Sequence, residues 1–288
     1  MTSVEKKRLF ISFSGGRTSG FMTKRLLETL DFEEWDVLIL FANTGAEDER
    51  TLRFVKACET WFGRDVLWIE AVPNPVRGKG TGWRVVTYET ASRNGEPFRD
   101  VISKHGIPNK AFPHCTRELK ERPMLAFLRT IGWKAGTFYT AIGIRADEMD
   151  RISASAESRK LIYPLIKWGT TKTDVLDFWR QQPFDLFLPE HRGNCVWCWK
   201  KSLRKHLTLL SETPEAYAFP EAMEREFPFA GPGQTGEPRR FFRGHKTVAD
   251  LRAEVALGFT PFVDGNERFE TDLDEPGGCG DSCEVFTQ

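Results

Sequence analysis

The sequence lacks any excess of charge: 41 Lys and Arg balance 41 Asp and Glu, so the formal net charge at pH 7 is zero. A uniformly basic surface that holds nucleic acid by bulk attraction is thereby excluded, while a local basic patch is not. It also lacks a long hydrophobic run. No stretch approaches the roughly 18 apolar residues of a membrane span, and the run over residues 9–13 is too short for a signal-peptide core. A cytoplasmic protein with no membrane partner is the expectation. Cysteine is sparse, six in 288 residues, and cytoplasmic thiols stay reduced. Ligand, catalytic or core roles are therefore expected in preference to disulfides. Internal repeats and low-complexity tracts are missing as well. What the chain does have is aromatic bulk, with nine Trp and 23 Phe, enough to fill a sizeable core at this length.

Strand and helix signals alternate through the first half. Residues 9–13, 36–41 and 66–69 are short apolar runs. Helical spacing joins Phe21, Leu26, Leu27 and Leu30, and again Leu52, Val55 and Trp61 within residues 49–62. Continuous apolar strands separated by helices predict an α/β fold, a mostly parallel sheet with helices on both faces. From about residue 73 to 113 the pattern dissolves into a Gly-, Pro- and Arg-rich stretch, read as a long irregular functional insertion. Helices are predicted over residues 117–128, 171–181 and 248–256, and a fourth strand over 138–142. Beyond Cys198 a basic helical start gives way to recurring Pro and Gly, then to an acidic tail holding Cys279 and Cys283.

Ser14, Gly15, Gly16, Arg17, Thr18, Ser19 and Gly20 follow the first strand and open the first helix. Glycines there let the backbone turn tightly and come close to a ligand. A helix N-terminus offers N–H groups and a positive dipole end to an anion. Ser14, Thr18 and Ser19 add hydroxyls, and Arg17 a forked cation. The plain alternative is a strand-to-helix turn with Ser and Thr as caps. The loop is neither of the Gly-x-x-x-x-Gly-Lys-Ser/Thr type nor of the Gly-x-Gly-x-x-Gly type.

Ser-Gly-Gly-x-x-Ser after a first strand resembles the PP-loop of the ATP pyrophosphatase superfamily, and the wider pattern is similar to its phosphoadenosine phosphosulfate (PAPS) reductase family. Asn43-Thr44-Gly45 with Glu47, Thr51 and Leu52 resembles that family's Asp-Thr-Gly…Glu-Thr-Leu segment. Gly143-Ile144-Arg145-Ala146-Asp147-Glu148 with Arg151 resembles its Gly-Ile-Arg-x-x-Glu-Ser…Arg loop, and Tyr163-Pro164-Leu165 before Asp174 and Val175 also fits. The resemblance implies an adenine nucleotide alpha hydrolase-like fold over residues 1–205 and a helical or irregular, Cys-bearing C-terminal extension over 206–288. It places the ligand at the C-terminal strand ends. It implies that Ser12, Ser14, Gly15, Gly16, Arg17, Thr18 and Ser19 hold phosphates and that Asn43, Thr44, Gly45 and Gly143 lie beside the nucleotide. Arg17, Ser19, Arg145 and Arg151 are the implied catalytic groups. The implied ligands are ATP with Mg²⁺, or PAPS or adenylyl sulfate. Arg17 stands where many ATP-using members have Lys; the charge is kept.

Cys195-Val196-Trp197-Cys198 is a C-x-x-C pair, and Cys115 lies upstream beside His114. That spacing lets two sulfurs face one metal centre. A zinc site, a redox dithiol or core packing, and a [4Fe–4S] cluster are the competing readings. The resemblance favours the cluster, because cluster-bearing adenylyl sulfate reductases carry Cys-Cys, a long gap and Cys-x-x-Cys. It implies Cys115, Cys195 and Cys198 as ligands, with Cys283, Cys279, His114 or a non-protein group as the fourth. Cys58, in a helical run, reads as a core residue. The tail departs from the family's Glu-Cys-Gly-Ile/Leu-His ending, and the acidic neighbours of Cys279 and Cys283 disfavour a nucleophilic thiolate.

Trp197 and Trp199 suit either base stacking or the shielding of a cluster. The basic runs Lys200, Lys201, Arg204, Lys205, His206 and Arg239, Arg240, Arg243, His245, Lys246 read either as nucleic-acid contacts or as solvated faces. His105 and His191 carry no assigned role. The expected function is ATP cleavage between the α- and β-phosphates to adenylate an acceptor, such as a tRNA or DNA base, for sulfur transfer from a donor protein. A sulfonucleotide reductase served by thioredoxin is one alternative. A non-catalytic nucleotide-binding subunit of a defence or DNA-modification complex is the other.

Overall fold

The apolar runs of the first half pair into one sheet. In the computed structural model, which describes residues 5–76, 78–193, 195–232, 236–264 and 285–286, the chain begins β1 (Lys7–Ser12), α1 (Arg17–Thr29), β2 (Trp35–Asn43), α2 (Glu49–Phe62) and β3 (Val66–Pro73). It continues β4 (Thr81–Val86), α3 (Glu96–His105), α4 (Arg122–Thr130), β5 (Tyr139–Ala141), β6 (Leu161–Ile162), α5 (Pro164–Lys167) and α6 (Lys172–Arg180). Three further helices follow, α7 (Leu203–Glu212), α8 (Ala218–Glu226) and α9 (Val248–Leu257). The expected ligands Cys279 and Cys283 lie outside the described residues.

The strand order is β4-β3-β2-β1-β5-β6, parallel except for β4, which runs antiparallel to β3 at the edge. Side chains alternate across this sheet and both faces are covered, as strands buried on two sides require. Leu9, Ile11, Ile39 and Phe41 pack on one face with Met22 of α1, Val55 of α2 and Trp179 of α6. Phe10, Leu40 and Ala42 pack on the other with Met124 and Leu128 of α4. The mostly parallel α/β architecture is as the sequence predicts. From β1 the chain builds β2 and β3 to one side and then β5 and β6 to the other. The order therefore reverses between β1 and β5, which is where open α/β sheets bind ligands.

Three expectations change. Residues 73–113 are not irregular throughout, since they hold β4 and α3. β4 is an edge strand with Gly82 inside it and Val85 half exposed, so it carries no apolar run. α3 is ten residues long and starts after Gly95, in a left-handed turn, with Pro97 in its first turn. The helix expected from residue 117 opens instead with a π-helical turn, Arg117–Glu121, before α4. α8 falls in the Pro-rich stretch, where Pro220 sits within its first turn and costs no interior hydrogen bond. Residue 205 lies inside α7, and one apolar cluster joins Phe98, Ile102 and Leu119 to Leu207, Tyr217, Phe241 and Leu251. No helix among the described residues is long and apolar enough to cross a membrane.

Two of the C-terminal helices are joined by a partly buried carboxylate. Glu224 of α8 accepts from the N–H of Val248, the first residue of α9, at 3.0 Å, and burial pushes its carboxyl up to about 7. Between its ordinary value of 4.5 and about 7 the unfolded chain sheds this proton while the folded chain keeps it. Stability should therefore fall as pH rises through that window, by on the order of 2 kcal/mol. Urea unfolding at stepped pH is expected to show this slope in the wild type and a flatter one in Glu224→Gln. Equal slopes would contradict the assignment.

Candidate functional site

The loop after β1 is shaped by contacts that only glycine permits. Gly15 has φ +80°, and a Cβ there would lie 2.9 Å from Val55 and 3.0 Å from Phe41. Gly16 is the N-cap of α1 and, as a glycine, brings no side-chain acceptor to that helix. Asp48, Thr171, Ser202 and Thr247 do cap α2, α6, α7 and α9. The α1 N-terminus thus lacks the N-cap side-chain acceptor that those helices use. Ser19 is fully buried; its hydroxyl accepts from Ser14 N–H at 3.2 Å and lies 2.8 Å from Ser14 Oγ. Ser19 therefore holds the loop in shape, and Ser12 is buried beneath it.

The β5 loop closes on this one. A Cβ on Gly143 would lie 3.2 Å from Ser19 Cα, so the two backbones touch. Arg145 is buried and donates to Thr18 Oγ1 at 3.2 Å across 127 residues of sequence. Its guanidinium is also paired with Asp147 at 3.1 Å and Glu148 at 3.5 Å, while Arg151 pairs with Glu148. Arg17 makes a two-pronged pair with Asp185 at 2.7 and 2.8 Å, and its carbonyl accepts from Trp179 Nε1. Arg17, Thr18 and Arg145 line a cavity of about 190 Å³ with Lys172, Glu190 and Asp264, against an apolar wall of Val175, Leu176 and Leu188. Glu190 is partly desolvated, which would raise its pKa, but Lys205 and Lys172 hold the carboxyl below the usual range. Asp185, Lys172 and Glu190 were not legible in the sequence. They sit outside any motif, and only Asp185's charge, opposite to that of Arg17, hints at the pairing.

The remaining expected residues divide. Arg151 does not line this cavity. Asn43 is fully buried and donates to Glu70 at 2.6 Å, which makes it part of a network with Arg84 and Ser92. Thr44 points the other way. Its hydroxyl donates to Glu47 at 2.8 Å and lies 3.5 Å from Cys195 Sγ, and Val196 N–H donates to Ala46 O at 2.7 Å. The turn after β2 therefore touches the C-x-x-C segment.

Cys115, Cys195 and Cys198, distant in sequence, line one small cavity with Thr44, Phe98, Leu119, Trp197, Trp199 and Phe241. Its free volume is about 20 Å³, room for about one water. The three cysteines are not in disulfides. Among the described residues, no group of three His, Cys, Asp or Glu side chains is arranged to hold a single metal ion. His114, an expected fourth ligand, does not line the cavity; its ring lies 5.7 Å from that of His105, and burial brings it down to about 4, so it is neutral at pH 7. Cys58 is buried in the core and burial pushes its thiol up, as a core residue requires.

Trp197 is buried and already stacked on Phe219 at 4.5 Å, and Trp199 is buried, so both shield the cavity. Many side chains of the two basic runs are engaged within the fold. Lys201 and His206 are buried, Lys205 pairs with Glu190, and Arg204 donates to Thr260 O. In the second run Arg239 is buried against His105 O, Arg240 pairs with Asp250, and Lys246 with Glu254. Burial of the Lys201 ammonium pushes its pKa down to about 8, against the opposing pull of Cys198 and Cys195.

Fold and site together define an α/β protein with a glycine loop at the switch point of a mostly parallel sheet and a buried cysteine cavity beside it. The chain is 32% identical over 287 residues to the uncharacterized nin region protein ORF290 of Escherichia phage lambda, a match that spans 96% of this chain and 94% of that protein. It belongs to the family of that phage protein. A weaker similarity, 25% over 123 residues, links 43% of the chain to 20% of the uncharacterized protein MJ0066 of Methanocaldococcus jannaschii. No model of a known protein family matches the chain.

The loop geometry can be tested on stability alone. Gly15→Ala combines a left-handed φ with contacts at 2.9 to 3.1 Å, and is expected to cost about 2 kcal/mol. Gly63→Ala, also left-handed but with open space around it, should cost about 1 kcal/mol. Denaturant midpoints that rank the two variants the other way would contradict the packing described.

Proposed function

We propose that this protein is a PP-loop enzyme of the PAPS reductase kind that binds ATP and cleaves it between the α- and β-phosphates to adenylate an acceptor. The observation that carries the reading is the meeting of two loops at the β1/β5 switch point. The glycine-capped N-terminus of α1 stands beside Arg145, which is hydrogen-bonded to Thr18, and both border one cavity. N–H groups at a helix start and fixed guanidinium groups are the donors that stabilise charge as pyrophosphate leaves. Arg17 is held by Asp185 and Arg145 by Asp147, so their forks are oriented in advance. Asp264 is the carboxylate on the cavity wall that would face Mg²⁺, since Glu190 is already engaged by Lys205 and Lys172.

The cysteine cavity supports the second half of the reading, sulfur transfer. Its donor set is three thiols beside aromatic side chains, with the buried Lys120 also on the wall, and thiols are the ligands that bind iron–sulfur clusters. Cys115, Cys195 and Cys198 would hold a [4Fe–4S] cluster, and loading is expected to widen the small cavity. Such a cluster supplies thiophilic iron for handling sulfur. The Thr44 turn, in contact with Cys195 and at the end of the strand next to the phosphate loop, brings the two sites together. A nucleic-acid base carbonyl is the proposed acceptor.

The test is a product analysis. Anaerobically purified protein mixed with α-labelled ATP and candidate acceptors is expected to release AMP and pyrophosphate, with at least about a hundredfold loss in Arg145→Met, which removes a donor from the cavity. ADP and phosphate as products, or full activity in Arg145→Met, would sink the proposal. PAPS-dependent sulfite release with no ATP cleavage would replace it with sulfonucleotide reduction.

A further inference from the structure

The cations that line the cavity at the β1/β5 switch point are not all held alike. Arg17 pairs through two nitrogens with Asp185, and Arg145 pairs with Asp147; among the described residues neither carboxylate has a second cation. Lys172 is placed differently. It opens α6 and lines the cavity with Val175 and Leu176 of the same helix. Its ammonium pairs with Glu190 at 3.3 Å, and Glu190 also pairs with Lys205 at 2.5 Å. Glu190 therefore has two cations, and the closer of them does not line the cavity. Lys172 is also the more exposed, with 34% of its side chain accessible against 15% for Lys205. A phosphate group that enters must compete with a carboxylate for each lining cation. Drawing Arg17 away would strand Asp185, which is costly for a charge largely covered from water. Drawing Arg145 away would break its bond to Thr18. Drawing Lys172 away leaves Glu190 with Lys205. A cation in the first turn of a helix also faces the helix's own positive end, a repulsion that a bound anion offsets.

We propose that Lys172 is the cation that changes partner when the site fills: it leaves Glu190 for a phosphate group bound in the cavity, and Lys205 keeps Glu190 neutralised when it does. The proposal rests on the nucleotide-cavity part of the proposed function and deepens it by naming the residue that closes on the phosphates. Arg17 and Arg145 are then donors fixed in advance, and Lys172 is the one that arrives with the ligand. A lysine suits that part, because its ammonium is a compact charge on a flexible stem. Glu190 and Lys205 touch no ligand in this scheme. They are positioning residues that set how readily Lys172 is released.

The experiment is titration calorimetry on the full chain with two probes, ATP with Mg²⁺ and inorganic pyrophosphate; thermal unfolding without ligand reports whether each variant folds. Lys172→Met and Lys172→Gln are expected to bind both probes about 10- to 100-fold more weakly, and Lys172→Arg, which keeps the charge, to hold most of the affinity. Glu190→Gln should bind both more tightly than wild type, because no carboxylate then competes for Lys172. Lys205→Met should bind them more weakly, although Lys205 does not line the cavity, since Glu190 then depends on Lys172; adding Glu190→Gln to that variant should recover the loss. Folded Lys172→Met and Lys172→Gln chains that bind both probes as wild type does overturn the proposal. So does a Glu190→Gln chain that binds them more weakly, since Glu190 is then a clamp for the cavity wall alone. Either result leaves the nucleotide reading in place. A wild-type chain that binds neither probe removes that reading, and this proposal with it.

Discussion

The hydrogen bond from Arg145 to Thr18 joins the two halves of the sheet at the point where its order reverses. It ties the loop after β1 to the loop after β5, and the rest of the site is arranged around it. The bond forms because Gly143 lets the β5 loop rest on Ser19, and because Gly15 lets the β1 loop turn inside a wall of Phe41, Thr51 and Val55. Burial makes it matter. A guanidinium sheltered from water depends on its partners, and removal of one member of such a cluster typically costs about 3–5 kcal/mol. Asp147, Glu148 and Thr18 share that role for Arg145, as Asp185 does for Arg17.

A second constraint comes from the segment between α6 and α7. Leu188, Pro189, Glu190 and Gly193 border the larger cavity, and Cys195, Trp197, Cys198 and Trp199 the smaller. One stretch of chain thus walls two sites, held to the β2 turn by the Val196–Ala46 bond and to itself by Lys201. In the proposed function this is the physical link between nucleotide chemistry at the β1/β5 switch point and sulfur chemistry beside it.

The parallel strands were legible because burial on both faces leaves uninterrupted apolar runs such as residues 36–41. β4 was not, because an exposed edge strand needs no such run, and α3 was hidden by the Gly and Pro residues that in fact start it. The glycine loop could be read from Gly15 and Gly16, whose backbone demands are local. Its ion-pair partners could not, since the Arg17–Asp185 contact spans 168 residues and leaves no periodic trace. The convergence of Cys115 with Cys195 and Cys198 followed from a resemblance, and the shared cavity accords with it. The pairing of the basic runs was not legible in the sequence for a clear reason. Their charges are consumed by Glu190, Asp250, Glu254 and backbone carbonyls, which a count of like charges along the chain does not register.

The central claim is that the β1/β5 switch point binds the nucleotide. Amide hydrogen exchange with and without ATP and Mg²⁺ tests it without any need for turnover. Ligand is expected to slow exchange at residues 15–20 and 143–148 together, and to do so far less in an Arg145→Met chain. Saturating ATP that protects neither segment would contradict the account.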